Sequence, residues 1–129
     1  AKGRKGLSAE LILDQKDMKN IISLKNYREF GSVYNRKESY ANKYLVMYIA
    51  PNDQMYSRIG ISCSKKVGNS VVRHRITRLI RESYRLNRDN INSGIDIVVV
   101  ARNTAKGKGF QEIESAFLHL CRLHKILSN

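Results

Sequence analysis

Residues Ser64–Arg88 read SKKVGNSVVRHRITRLIRESYRLNR, and this stretch decides how the rest of the chain is interpreted. Between positions 65 and 88 it holds eight Lys or Arg residues and a single acid, Glu82. Gly68 permits a tight turn, and Asn69 or Ser70 can accept hydrogen bonds from the first N–H groups of a helix. The apolar residues that follow recur at the spacing of one helical face. The stretch therefore predicts a basic helix that begins at about residue 70.

The predicted helix has an apolar face and a basic face. At about 100° per residue, one arc gathers Val72, Ile76, Leu79, Ile80 and Leu86. The opposite arc gathers Arg73, His74, Thr77, Arg78, Arg81 and Arg85, with Arg75 at its margin. An ordinary solvated surface helix pairs its cations with acids three or four residues away, and here only Glu82 is available. We interpret the basic face as a surface for a negatively charged partner, with Lys65 and Lys66 ahead of the helix suited to phosphate.

Composition narrows the partner to a polyanion. The 129 residues carry 24 Lys and Arg against 11 Asp and Glu, a formal net charge of +13. Nucleic acid and an anionic membrane are the candidates. No apolar run approaches the roughly 18 to 20 residues of a spanning helix, and the basic helix lacks the Trp or Phe typical of interfacial helices. We therefore expect a nucleic-acid partner, no membrane and a cytoplasmic protein. Its two cysteines, Cys63 and Cys121, are expected to be reduced, although the sequence does not exclude a disulfide.

The remaining pattern predicts a flexible basic N-terminal extension over residues 1–23 and a single RNA-binding α+β domain over residues 24–129. Hydrophobic periodicity and turn signals place helices at about 27–36, 70–88 and 110–126, and strands at 43–50, 57–63 and 95–102. The order is α-β-β-α-β-α, in which residues 57–63 form the return strand and residues 95–102 the central one. We expect a small two-layer sandwich whose sheet is mostly antiparallel, with a βαβ crossover.

The sequence indicates binding chemistry and no catalytic site. It contains no G-x-S-x-G elbow, no Walker loop and no H-E-x-x-H motif. Its arginines can bind phosphate through paired hydrogen bonds. The first helix carries an aromatic stripe, which is as often plain core, but Phe30, Tyr34, Tyr44 and Tyr48 can also stack on unpaired bases.

The stretch KKVGNSVVRHRITRLIRE resembles the signature of the bacterial ribonuclease P protein subunit, K-K-x-G-N-A-V-x-R-N-R-x-K-R-x-x-R. The matching residues are Lys65, Lys66, Gly68, Asn69, Val71, Arg73, Arg75, Arg78 and Arg81. Flanking matches include Phe30, Val33, Tyr34, Ala41, Asn42, Ala101 and Arg102, so the resemblance covers about residues 24–123. Two positions depart from the signature, because its central Asn is His74 here and its Lys is Thr77. We expect altered local contacts at these positions.

The resemblance implies a left-handed βαβ crossover and a large catalytic RNA as partner. That RNA, with Mg²⁺, cleaves precursor tRNA to release the mature 5′ end, so the protein is a non-catalytic component of an endoribonuclease. Mg²⁺ is then held mainly by the RNA subunit and substrate, and the protein alone binds no metal and is a monomer. The implied RNA-subunit contacts are Lys65, Lys66, Asn69, Arg73, Arg75, Arg78 and Arg81. The implied contacts to the 5′ leader of precursor tRNA are Phe30, Tyr34, Tyr48, Arg58 and Ser62.

Two other functions fit parts of the sequence. A general RNA-binding protein or RNA chaperone of ribosomal-protein type would share the charge and the fold but have no dedicated role in cleavage. A metal-dependent nuclease would need converging acids, for which Glu82 and Asp96 are the nearest candidates.

Overall fold

The computed structural model describes residues 21–128, so nearly all of the predicted extension lies outside the described residues. The helices are α1 (Tyr27–Arg36), α2 (Ser70–Asn87) and α3 (Phe110–Leu123). The strands are β1 (Ser39–Ala41), β2 (Leu45–Pro51), β3 (Arg58–Ser62) and β4 (Ile95–Ala101), and single turns of 3-10 helix cover Arg88–Asn90 and Asn103–Ala105. The α+β class is confirmed, and the short strand β1 is added to the predicted order.

The four strands form one sheet in the order β1-β2-β4-β3. β2 is antiparallel to both β1 and β4, whereas β3 is parallel to β4. The predicted mostly antiparallel sheet, the βαβ crossover through α2 and the central position of β4 are therefore confirmed, and the hand of the crossover stays a prediction. β3 does not return beside β2 as predicted, because β4 is inserted between them.

One face of the sheet carries the larger hydrophobic core. Alternate residues of the two inner strands point to this face, and the fully buried examples are Leu45, Met47, Ile97 and Val99. α2 and α3 cover them with Ile76, Ile80, Ile113, Phe117 and Leu120, all of which are buried. These elements form the predicted two-layer sandwich.

The other face carries a smaller core beneath α1. Val33 of α1 is fully buried against Val98 of β4, with Leu24 and Ala50 in the same cluster. Asn26 caps α1, since its Oδ1 accepts a hydrogen bond from the Glu29 amide at 3.0 Å. α1 therefore lies across the second face, opposite the two other helices.

The residues just before α1 are also attached to the sheet. Ile21 is buried, and the Ile59 amide donates to the Ile22 carbonyl at 3.0 Å. The Leu24 amide in turn donates to the Ile59 carbonyl at 2.9 Å. Residues 21–24 thus extend the β3 edge of the sheet. Within residues 21–128, no helix has the length and apolar character needed to cross a membrane.

Candidate nucleic-acid interface

α2 presents its basic face from a well-defined N-terminus. Asn69 caps the helix, accepting a hydrogen bond from the Val72 amide at 3.0 Å, as the sequence predicts. Gly68 has a different role from the one predicted, because its φ is not positive. A Cβ on Gly68 would lie 2.7 Å from Val72 Cγ1, so glycine is required by the close approach of the first helical turn.

The basic face occupies the first three turns of α2 and the loop before it. Among the predicted RNA-subunit contacts, Lys65, Lys66, Asn69, Arg75 and Arg78 are exposed, whereas Arg73 and Arg81 are half-buried. Arg85, in contrast, forms an ion pair with Glu82 at 2.9 Å, and both side chains are mostly buried. The positive charge available to a partner is therefore concentrated in the N-terminal part of the helix.

Arg81 lies where the basic face meets the core. Burial, and next the neighbouring charge of Arg78, lowers the pKa of Arg81 from its ordinary value. Its buried Nε has no hydrogen-bond partner among the residues the structure describes. An anion beside Arg78 and Arg81 would relieve both the repulsion and part of the cost of desolvation.

His74, which departs from the family signature, and Arg78 line a groove on this face. The groove measures about 590 Å³, and Ser70, Val71, Arg75 and Leu79 complete its walls. Val71 is 75% exposed, although it matches the signature. Thr77 is half-buried, so the two departures sit in different environments.

Three aromatic side chains meet on the opposite sheet face, where α1 packs on β2 and β4. The Tyr34 and Tyr48 rings are 4.8 Å apart in an edge-to-face arrangement, and the Phe30 and Tyr34 rings are 6.5 Å apart. Burial raises the pKa of the Tyr34 hydroxyl, and its hydrogen bond with Ser62 opposes the rise. We call Phe30, Tyr34, Tyr48 and Ser62 the aromatic cleft. Four of the five predicted leader-binding residues thus lie together.

Gly60 forms the floor of the aromatic cleft, a role that the sequence reasoning missed. A Cβ at this position would lie 2.6 Å from Phe30 Cζ and 3.0 Å from Leu24 Cδ1. Glycine in the interior of a strand is a recognised signal of close approach by another group. The missing side chain is therefore what seats Phe30 on the sheet.

Arg58, the fifth predicted leader-binding residue, is held by two carboxylates. Its Nε and Nη2 donate to the two oxygens of buried Asp96 at 2.8 and 2.7 Å, and its Nη1 donates to Glu29 of α1 at 3.2 Å. These carboxylates raise the Arg58 pKa above its ordinary value, and the main cause is the hydrogen bonding that Arg58 donates to Asp96. Asn52 donates to the same Asp96 at 2.8 Å. Arg58 therefore joins α1 to the sheet, and its charge is already neutralised.

The basic face and the aromatic cleft are connected by a short segment of chain. Ser62, which reaches Tyr34, ends β3, and the exposed Lys65 and Lys66 follow three and four residues later. Asn69 then begins α2. The cleft residue Ser62 and the capped helix N-terminus are therefore separated by only a short segment of chain.

The acids considered for a metal-dependent nuclease are engaged elsewhere in the described residues. Across residues 21–128, no group of three His, Cys, Asp or Glu side chains is placed to hold a metal ion. Asp96 is engaged by Arg58, and Glu82 by Arg85, so neither nuclease candidate is available. Cys63 and Cys121 are both free thiols, and burial raises the Cys121 pKa to about 12, which makes it a poor nucleophile.

Comparison with known proteins identifies relatives over most of the chain. The family model described as Ribonuclease P matches residues 18–125. The ribonuclease P protein component of Lachnoclostridium phytofermentans is 64% identical over 107 residues, covering 83% of this chain and 92% of that protein. The corresponding protein of Alkaliphilus metalliredigens is 50% identical over 111 residues, covering 86% and 100%.

Solved structures share the fold. The Staphylococcus aureus RNase P protein superimposes with a TM-score of 0.76 at 34% identity, covering 81% of this chain and 96% of that one. The Thermotoga maritima RNase P protein gives a TM-score of 0.71 at 30% identity, covering 78% and 96%.

The contact between Gly60 and Phe30 can be tested with a pair of glycine variants. Gly60→Ala should expel Phe30 from its seat, destabilise the protein by about 1–3 kcal/mol through overpacking, and change the near-ultraviolet circular dichroism of the tyrosines. Gly31→Ala is the matched control on α1, because nothing lies within 4 Å of its added Cβ. It should stabilise the helix by about 0.5–1 kcal/mol. Equal urea midpoints and unchanged spectra for both variants would show that the cleft does not depend on Gly60.

Proposed function

Since the chain belongs to the ribonuclease P protein family, we propose that its two surfaces bind two different RNAs. The family role is to bind the RNA subunit in tRNA 5′ processing, and the chain is accordingly a component of a ribonucleoprotein endoribonuclease. In the proposal, the basic face of α2 binds the catalytic RNA subunit, and the aromatic cleft binds the 5′ leader of precursor tRNA.

One observation carries the proposal: the two surfaces have different chemistry and lie on opposite faces of the sheet. Exposed arginines on α2 supply positive charge but no aromatic ring on which a base could stack. They therefore suit the backbone of a folded RNA. The cleft supplies ring faces from Phe30, Tyr34 and Tyr48, which suit the bases of a single strand. A leader is the unpaired part of precursor tRNA, so it matches the cleft.

The loop between β3 and α2 connects the aromatic cleft to the basic face. Lys65 and Lys66 are exposed on the segment between the cleft residue Ser62 and the capped N-terminus of α2. Phosphates of a leader leaving the cleft and of the RNA subunit bound to α2 would both be attracted to this point. The protein thus brings the leader beside the RNA subunit, and the RNA performs the cleavage.

In this proposal the protein assists a reaction whose metal ions it does not hold. Mg²⁺ is bound mainly by the RNA subunit and substrate, and the protein contributes positive charge that lowers repulsion between the two RNAs. We propose that the protein alone is a monomer and acts in the cytoplasm. A general RNA chaperone is not favoured, because the family is ribonuclease P.

Cleavage assays test this role directly. The protein alone should not cleave precursor tRNA, and adding it to the catalytic RNA should restore cleavage at low Mg²⁺, where repulsion between the RNAs is least screened. The measurement is the single-turnover rate across a Mg²⁺ series. Equal rates with and without the protein at low salt would contradict the proposal.

Variants of the aromatic cleft should weaken the binding of precursor tRNA without affecting that of mature tRNA. Replacing Tyr34 and Tyr48 with Ala removes stacking of about 1–3 kcal/mol per base, so the assembled complex should bind precursor tRNA less tightly and mature tRNA unchanged. Tyr40→Ala is the control, because Tyr40 is half-exposed and stacks on His124 of the opposite sheet face. An equal loss of affinity for both tRNAs would place the leader elsewhere.

Variants of the basic face should affect assembly instead. Arg73→Gln with Arg78→Gln should weaken binding of the RNA subunit and lower the slope of log affinity against log salt by about 1.4–1.8, since each phosphate that the helix no longer neutralises accounts for about 0.7–0.9. Arg122→Gln is the control, an exposed arginine on α3. Titrations of labelled RNA subunit at several salt concentrations give both quantities, and an unchanged slope would argue against phosphate binding by this helix.

A further inference from the structure

A second group of cations, Lys43 and Lys108, lies beside Tyr44, outside the basic face and the aromatic cleft. The ammonium groups of Lys43 and Lys108 each lie 5.6 Å from the centre of the Tyr44 ring. Neither lysine has an ion-pair partner among residues 21–128. One neutral ring cannot balance two positive charges, so the pair is left with charge available to an anion.

The backbone beneath these lysines is fixed by hydrogen bonds between two distant segments. The Lys43 carbonyl accepts a hydrogen bond from Thr104 Oγ1, and the Asn42 carbonyl accepts one from Arg102 Nη1 at 2.7 Å. The Arg102 amide donates to the Tyr44 carbonyl at 2.9 Å. Ala105, in the same connection, is fully buried. The backbone segments that carry Lys43 and Lys108 are therefore anchored to each other.

This group is continuous with the basic face of α2. Arg75, one of the predicted RNA-subunit contacts, donates through Nη1 to the Lys108 carbonyl at 2.9 Å. An RNA backbone that crosses α2 at Arg75 would therefore next reach Lys108 and Tyr44. Among residues 21–128, no comparable contact joins the group to the aromatic cleft, which lies on the other face of the sheet.

A groove beside Tyr44 provides the space for such a backbone. It measures about 410 Å³ and is lined by Asn42, Lys43, Tyr44, Gln111, Glu112, Ser115, Ala116 and His119. Asn42 Nδ2 lies 3.2 Å from His119 Nδ1 and donates to the Ala116 carbonyl at 2.9 Å, which fixes one wall. The single acid of the lining, Glu112, accepts a hydrogen bond from the Gly109 amide at 2.7 Å. The groove thus has Lys43 in its wall and one carboxylate that is already hydrogen-bonded, while Lys108 lies over the Tyr44 ring that borders it.

We propose that Lys43, Lys108 and this groove extend the interface with the RNA subunit beyond α2, binding its phosphate backbone. The inference rests on the proposed function, because it takes the basic face of α2 as the RNA-subunit interface. The occupant is the RNA subunit and not the leader, since Arg75 makes the group continuous with α2. The lysines act as point charges on phosphate, and the groove beside Tyr44 accommodates the sugar-phosphate chain.

The test is a charge-neutral double variant, Lys43→Gln with Lys108→Gln, titrated with the RNA subunit at several salt concentrations. We expect affinity to fall on the order of 10-fold and the salt slope to fall by about 1.4–1.8. The preference of the assembled complex for precursor over mature tRNA should stay unchanged. Lys43→Arg with Lys108→Arg should retain affinity, because the charge is kept.

Lys125→Gln is the matched control, since Lys125 is exposed beyond the far end of α3, a helix about 21 Å long. Thermal unfolding checks that every variant folds. In the wild-type protein, the RNA subunit should also protect Lys43 and Lys108, but not Lys125, from acetylation. The inference would be overturned if the double glutamine variant bound the RNA subunit with wild-type affinity and the RNA subunit did not protect Lys43 and Lys108 of the wild-type protein. It would also be overturned if the variant lost affinity for precursor tRNA alone. The Arg73 and Arg78 pair, measured in parallel, reports separately on the proposed function.

Discussion

The fold depends on the burial of β4 on both of its faces. Ile97 and Val99 face the larger core, Val98 faces the smaller one, and all three are fully buried. A strand of this kind needs other elements packed on both of its faces, because its apolar side chains must be buried there. It also needs a neighbouring strand at each edge, because its buried backbone groups must be hydrogen-bonded. The three helices are divided between the faces for that reason, and β2 and β3 flank the strand.

That division also separates the two chemistries that the protein presents to RNA. α2 can leave its cations unneutralised because its other side is held by the larger core through Ile76 and Ile80. α1 can place aromatic rings over a glycine because Val33 and the Arg58–Glu29 ion pair hold it on the opposite face. Each surface carries a cost in local stability, and in each case the core on its own side of the sheet offsets it.

Much of this could be predicted from the sequence, because caps and periodicity are encoded within a few residues. Asn26 and Asn69 begin their helices at the predicted positions. The pairing of β3 with β4 could not be predicted, since no local pattern records which distant strand becomes a neighbour. For the same reason the ion pair between Arg58 and Asp96, 38 positions apart, could not be predicted. β1 was missed because three exposed residues leave no alternation to detect.

The central position of β4 has a consequence for how the chain folds as it is synthesised. β4 is the last of the four strands to be made, so until then β2 lacks a partner on one edge and β3 has none within the sheet. Such unpaired edges favour association between chains. During that interval α2, whose hydrogen bonds are local, can form before β4 has been made. The growing chain therefore displays its positive charge before its sheet is complete, and mutual repulsion keeps neighbouring chains apart while the edges are open.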